Sequence, residues 1–119
     1  MILGKVWGTT ELLLKTPFIE VHRLKIKPNA RCSLHCHKYK HNAFMVSTGR
    51  LIIEVVKNDY PLTDRTELGP GDFTTVKPNE FHRFVTEDEP VTGIEIYYCE
   101  PLREDIVRND CGSVEVQNA

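Results

Sequence analysis

Apolar and polar residues alternate in short runs along this chain, and these runs predict β-strands. The clearest run is 18–26, where alternation with a period of two is typical of a half-buried strand. Other such runs lie at residues 11–14, 31–37, 43–47, 50–56, 73–76, 81–85 and 91–99. Turn-forming residues separate several of them, for example Pro28-Asn29 and Gly69-Pro70-Gly71. About eight short strands, without a convincing 3.6-residue period, predict a single all-β domain over residues 1–119, either a sandwich or a barrel.

Composition and charge narrow the classes of function. The 119 residues are 40% apolar and 27% charged, a balance that is typical of a folded soluble domain. A net charge of −2 provides no bulk attraction for nucleic acid or for an anionic membrane. No apolar run approaches the roughly 18 residues of a membrane span, and the first residues lack a signal-peptide pattern. We therefore expect a cytoplasmic protein whose four cysteines are free thiols.

Histidines provide the candidate chemistry. His35, His37 and His41 fall within seven residues, and His82 follows some forty residues later. Two histidines at positions i and i+2 of a strand point to the same face, and neutral imidazole is a good ligand for transition metals. We expect His35, His37 and His82 to bind a divalent ion such as Zn, Fe, Mn or Ni. Three neutral ligands would leave the ion its full charge and open coordination positions.

The order of these parts resembles the cupin superfamily. His35-x-His37 is followed by Gly49, by Pro70-Gly71-Asp72 and by Pro78-x-x-x-His82, and this order is similar to that of the two cupin motifs. The resemblance implies a double-stranded β-helix, which is a jelly-roll barrel that holds a metal or ligand near its mouth.

The chain is also similar, over nearly its whole length, to the cupin domain of type II mannose-6-phosphate isomerases, which is often fused to mannose-1-phosphate guanylyltransferase. The similarity covers Trp7-Gly8 and residues 22–29, 33–49, 77–83 and 104–112. It implies a metal-dependent enzyme that isomerises a small sugar phosphate. Where that family has a glutamate, this chain has Asn42.

The fourth metal ligand stays open between two residues. A family spacing of three residues after His37 selects His41, whereas a spacing of four, which preserves the distance to Gly49, selects Asn42. A strand that begins at Asn42 would place Asn42 and Phe44 on one face and His41 in the loop or on the opposite face. We favour Asn42 at the family's glutamate position and keep His41 as an alternative.

Four residues are candidates for substrate binding: Lys40, Asn42, Phe44 and Arg83. Lys40 and Arg83 would bring positive charge to the mouth of the barrel, where a phosphate or carboxylate would bind. Two other functions remain open, a three-histidine Fe(II) oxygenase and a non-catalytic module that binds a sugar or another small molecule. Because a jelly roll has edge strands that need covering, we also expect a homodimer.

Overall fold

The computed structural model of the chain describes residues 1–57, 62–99 and 104–115. Its elements in these ranges are nine strands: β1 (Ile2–Lys5), β2 (Gly8–Lys15), β3 (Ile19–Ile26), β4 (His41–Thr48), β5 (Leu51–Lys57), β6 (Leu62–Leu68), β7 (Phe73–Val76), β8 (Phe81–Thr86) and β9 (Val91–Tyr98). In the part of the chain that is described, no helix is long and apolar enough to cross a membrane.

The strands form two antiparallel sheets. The larger sheet has the order β1-β2-β3-β9-β4-β7, and the smaller has the order β6-β5-β8. Every pairing within both sheets is antiparallel. Strands that are distant in sequence, such as β3 and β9, lie side by side, as in a jelly roll. The predicted all-β jelly-roll barrel is therefore confirmed.

An apolar core includes residues from both sheets. Its buried members are Leu24, Ile26, Phe44, Val46, Leu51, Ile53, Leu68, Val76, Phe84 and Val91. Trp7 packs its ring edge-on against Phe84 with the centroids 4.9 Å apart, so the start of the chain is joined to β8. Burial of this apolar surface is the main favourable term in folding.

Two strands were not predicted. β6 is exposed along most of its length and pairs only with β5, at the edge of the smaller sheet. Its sequence is mostly polar and so lacks the apolar alternation by which a half-buried strand is recognised. β1 is likewise an edge strand, and all four of its residues are exposed. Both strands depend on backbone pairing with a neighbour, which no local pattern reports.

The predicted strand over residues 31–37 is wrong. This segment runs alongside β8 in space, but it makes only isolated bridges, from Arg31 to Val85 and from His35 to His82. The Cys32 N–H donates to the Phe84 carbonyl, and the next pair is His35 with His82, so three residues of the segment span two residues of β8. The extra residue interrupts the regular ladder in the manner of a β-bulge.

The register of the larger sheet aligns inward-facing residues in rows across the strands. Opposite residues of antiparallel strands point to the same face. One row therefore contains His22 of β3, Glu95 of β9 and Phe44 of β4. The next row contains Glu20, Tyr97 and Asn42. The inner face is thus apolar at one end and polar at the other.

Gly8 provides a test of this packing. A Cβ added at Gly8 would lie 1.9 Å from the carbonyl oxygen of Lys25, and the residue has a φ of +152°. We expect Gly8→Ala to lower the free energy of unfolding by about 2–4 kcal/mol, because strain and overpacking each cost roughly 1–3 kcal/mol. Denaturant unfolding measures the change.

Gly4→Ala is the matched control, because a Cβ at Gly4 would meet no atom within 4 Å. Its free energy of unfolding should stay within about 0.5 kcal/mol of the wild-type value. Equal destabilisation by the two substitutions would contradict the close approach of Gly8 to Lys25.

Candidate metal centre and its cavity

Three histidine side chains meet at the polar end of the barrel. Each of His35, His37 and His82 offers one ring nitrogen, and the three nitrogens all lie within 4.8 Å of one another. The ring centroids are separated by 5.1 Å for His35 and His37, 4.7 Å for His35 and His82, and 5.6 Å for His37 and His82. Movements of an ångström or two would bring the nitrogens to the separations of a common metal ion's ligands.

Backbone hydrogen bonds hold two of these histidines opposite each other. The His82 N–H donates to the His35 carbonyl at 2.8 Å, and the His35 N–H donates to the His82 carbonyl at 3.1 Å. His37 is attached to the turn before β8, because its carbonyl accepts from the Asn79 N–H at 2.7 Å. Asn79 has a φ of +67°, a left-handed conformation that asparagine tolerates well. The cluster is therefore positioned by main chain.

Second hydrogen bonds determine which ring nitrogen is available. Nδ1 of His82 lies 2.9 Å from the Glu80 carbonyl, and Nδ1 of His35 lies 2.8 Å from the Ser33 carbonyl. A carbonyl can only accept, so each Nδ1 carries a proton and, in the neutral ring, each Nε2 keeps its lone pair. A backbone carbonyl on the second nitrogen is the usual arrangement for a metal-binding histidine.

The histidines fit a metal ion by a further criterion. Nε2 of His37 and Nε2 of His82 are buried and have no hydrogen-bond partner among the described residues. Buried polar atoms are rarely left unpaired, and a bound ion is one of the accepted reasons for an exception. Burial lowers the pKa of His37 to about 4, and it also lowers the pKa of His82. Both rings are therefore neutral at pH 7, with lone pairs that could bind a divalent metal ion.

The cluster opens into a cavity of about 600 Å³. His35 and His37 form one side of it, together with Arg31. Residues of β1, β2, β3 and β9 also line it. A space of this size is typical of a small-molecule site.

The part of the cavity that the larger sheet contributes is polar and carries two carboxylates, Glu20 and Glu95. Glu95 is 8% exposed and accepts a hydrogen bond of 2.9 Å from the Asn42 amide. Burial raises the pKa of Glu95, and burial followed by the Glu95 carboxylate raises the pKa of Tyr97. Glu20 lies 3.0 Å from a nitrogen of His22, and this hydrogen bond lowers the pKa of Glu20. Two carboxylates and an imidazole therefore line the same cavity as His35 and His37.

Sequence reasoning missed Glu95, Glu20, His22 and Arg31 as site residues. In β9 the apolar residues Ile94 and Ile96 suggest that their side of the strand faces the core. The structure instead buries the other side, which includes Glu95. For Glu20 and His22 the signal was present, because they share the parity of Leu24 and Ile26, which are buried. That parity, continued to the polar end of β3, would have placed both in the cavity.

The structure brings together some of the predicted substrate-binding residues. Lys40 lines the cavity, and its Nζ lies 5.4 Å from the centre of the Tyr97 ring. Asn42 is buried beside Glu95, and its Oδ1 has no hydrogen-bond partner within the described ranges. Phe44 lies in the core, with its ring centroid 6.2 Å from that of His82.

Arg83 does not line the cavity. It has the opposite parity to His82 on β8, and its guanidinium pairs with Glu54 at 2.7 Å.

His41 is placed apart from the three-histidine cluster. It is the first residue of β4, and its ring stacks on Tyr98 with the centroids 5.3 Å apart. Asn42, Phe44 and Val46 share the buried face of that strand, and His41 has the other parity. The group of three candidate ligands found in the described residues does not include it.

Comparison with known proteins agrees with this fold. The family profile described as Cupin domain matches residues 22–97. KdgF from Halomonas sp. is similar in structure, with a TM-score of 0.71, 16% identity, and coverage of 85% of this chain and 87% of KdgF. No curated protein matches the sequence.

Two larger proteins contain a similar fold. The capsular polysaccharide assembling protein CapF from Staphylococcus aureus gives a TM-score of 0.75 at 16% identity, with 84% of this chain covered and 28% of CapF. Oxalate decarboxylase from Bacillus subtilis, described with Mn(II) centres, gives 0.72 at 15% identity, with 87% of this chain and 28% of the enzyme covered. This chain therefore corresponds to less than a third of either protein.

Removing single imidazoles tests the metal centre. Protein purified without chelator or a histidine tag should carry about one divalent ion per chain. We expect His37→Ala or His82→Ala to weaken metal affinity by more than the roughly 10–100-fold that changes around the ligands cost. Metal analysis and chelator competition measure both effects.

His41→Ala is the control, because this imidazole lies on the other parity of β4. It should retain the wild-type metal content. An equal loss in His41→Ala would place His41 in the coordination shell, and full retention in His82→Ala would contradict the cluster.

Proposed function

The chain belongs to the Cupin domain family, and from that premise we propose that it is a metal-binding cupin that isomerises a small sugar phosphate. The observation that carries the proposal is the pair of buried, unpartnered nitrogens, Nε2 of His37 and Nε2 of His82. His37 lines a cavity that also contains carboxylates and cations.

His35, His37 and His82 would hold the metal, and Asn42 is the stronger candidate for a fourth ligand. Its amide nitrogen donates to Glu95, which leaves Oδ1 buried and without a protein partner. His41 lacks this support because its ring lies against Tyr98. A divalent ion bound here would supply Lewis acidity that polarises a carbonyl oxygen.

Arg31 and Lys40 would bind the phosphate. Both line the cavity, and neither has an ion pair among the described residues. A guanidinium can bind a phosphate in a bidentate manner, and an ammonium adds a point charge. Arg83 drops out of this role since its guanidinium pairs with Glu54 on the other side of β8. An anionic group at the cations would leave the rest of a sugar between the histidines and the carboxylates.

A non-catalytic binding module is the second candidate. It is favoured by Asn42, because the asparagine cannot serve as a base where the isomerases that the sequence resembles have a glutamate. Ligand binding would then raise the melting temperature without turnover. An Fe(II) oxygenase would instead consume oxygen after iron loading.

The chain would act as a cytoplasmic homodimer. All four cysteines are free thiols, which suits a reducing compartment. β1 lies at the edge of the larger sheet, where Ile2 is 63% exposed. Leu13 and Leu14 of the adjoining β2 are also exposed. An apolar sheet edge of this kind favours pairing with a second copy.

Metal-loaded protein should interconvert mannose 6-phosphate and fructose 6-phosphate. We expect Arg31→Gln and Lys40→Gln each to raise KM by about tenfold. Each substitution removes one charge-assisted hydrogen bond to the phosphate, which contributes roughly 1.5–3 kcal/mol, and a factor of ten corresponds to about 1.4 kcal/mol. Steady-state kinetics measure the effect. Lys25→Gln, on an exposed residue of β3, is the charge-matched control.

Two results would overturn parts of this proposal. Absence of turnover in metal-loaded protein, with binding of mannose 6-phosphate retained, would favour the binding module. A raised KM in Arg83→Gln with no change in Arg31→Gln would mean that Arg83, and not Arg31, binds the phosphate.

The dimer has its own test. We expect light scattering to give twice the mass of one chain, and Ile2→Lys to shift the protein towards monomer because it charges the apolar edge. Val114→Lys, which changes a 90% exposed residue outside the strands, should leave the mass unchanged. A monomeric wild type would refute the dimer.

A further inference from the structure

His22 lines the same cavity as His35 and His37, lies outside the three-histidine cluster and makes two hydrogen bonds of its own. Its Nε2 is 3.0 Å from Oε2 of Glu20, and its Nδ1 is 3.3 Å from the hydroxyl of Thr10. All three residues line the cavity. The His22 side chain is 19% exposed, so the ring is held by its neighbours and still open to the cavity.

The Glu20 carboxylate fixes the proton on His22. The lowered pKa of Glu20, to which His22 contributes most, keeps the carboxylate ionised and able only to accept a hydrogen bond. Nε2 of His22 must then be the donor. In a neutral imidazole the other nitrogen, Nδ1, is left with a lone pair.

Only a weak partner occupies that lone pair. Thr10 can donate its hydroxyl proton to Nδ1, but 3.3 Å is longer than a good O–H donor distance. A ligand in the cavity could displace this contact. An imidazole oriented by a carboxylate, with its second nitrogen available, has the arrangement of a general base.

We propose that His22 is the proton-transfer residue of this cavity and that Glu20 is the positioning residue that fixes its tautomer. The inference rests on the proposed isomerase function and names the base which that function requires. It gives the polar wall a catalytic role that is separate from the candidate metal ligands.

The proton transfer balances without an added oxidant or reductant. Nδ1 of His22 takes the proton from C2 of the aldose, the electron pair of that C–H bond becomes the C1–C2 double bond of an enediolate, and the π pair of the C1 carbonyl moves onto O1. The resulting imidazolium returns the proton to C1, while the hydroxyl proton moves from O2 to O1. The product is the ketose, and His22 is neutral again.

Glu95 also faces His22 across the sheet, but its position suits another role. It is more deeply buried than His22, and the Asn42 amide already binds one of its oxygens. Tyr97 lies on the same side, with its ring centroid 5.7 Å from that of His22. The positive charges of Lys15 and Lys40 help to lower the pKa of Glu20. Among these groups, His22 has a basic atom with only a weak partner.

The tautomer can be measured without any substrate. Nitrogen-15 NMR of the full-length, metal-loaded protein should show neutral His22 protonated on Nε2. Glu20→Gln should populate the Nδ1-protonated form, because an amide can also donate a hydrogen bond, and Glu20→Asp should restore part of the wild-type state. An Nδ1-protonated wild type would overturn the inference.

Turnover of mannose 6-phosphate tests the catalytic step. We expect His22→Asn and His22→Gln to lower kcat by about 10²–10⁴-fold, the usual contribution of a general base, with KM within about threefold of wild type. Metal content and melting temperature should stay near the wild-type values. Glu11→Gln is the control, because Glu11 sits on the neighbouring β2 and pairs with Arg23.

The two arms separate this inference from the proposed function. An inactive wild type with the Nε2–H tautomer refutes the isomerase and, with it, the catalytic role of His22, and supports only the positioning of the ring by Glu20. An active wild type with full activity in both His22 variants overturns the inference and leaves the isomerase in place. Loss of activity in Glu95→Gln alone would also overturn it.

Discussion

The reciprocal backbone hydrogen bonds between His35 and His82 are the contact on which the site depends. They join an irregular segment to β8, and they set two imidazoles side by side before any side-chain preference acts. Because main-chain atoms make the connection, the relative position of the two Cα atoms does not depend on the side-chain rotamers. The carbonyls of Ser33 and Glu80 then fix the ring orientations, which leaves Nε2 of each ring facing the cluster. The donor set is thus preorganised, and little ordering is left for ligand binding.

Backbone pairing also positions the cavity residues of the larger sheet. Its register aligns Glu20, Tyr97 and Asn42 in one inward row, beside a row in which His22, Glu95 and Phe44 lie. The polar residues form hydrogen bonds with one another, as Asn42 does with Glu95, so several costs of burial are offset within the wall. One end of the inner face belongs to the apolar core, and the other end lines the cavity.

The fold and the grouping of the three histidines followed from the sequence, whereas the placement of Glu95 and Arg31 did not. Alternation over residues 18–26 and the spacing of His35, His37 and His82 are local or motif-like signals, and both led to the right structure. Glu95 and Arg31 enter the cavity only through strand pairing between distant segments, which a single sequence does not report. The assignment of Arg83 as a phosphate ligand rested on nearness to His82 along the chain. Adjacent residues of a strand face opposite sides, and for that reason Arg83 reaches Glu54 instead.

The extra residue between Cys32 and His35 lets one short segment present two residues of unlike parity to the same side. Cys32 packs against the core, and His35 lies opposite the inward-facing His82, yet the two are three positions apart in the sequence. In a regular strand, residues three positions apart face opposite sides of the sheet, so the irregular backbone absorbs the change of parity. A regular strand at this place would turn either Cys32 or His35 outwards. The bulge thus allows a core residue and a candidate metal ligand to come from the same edge of the smaller sheet.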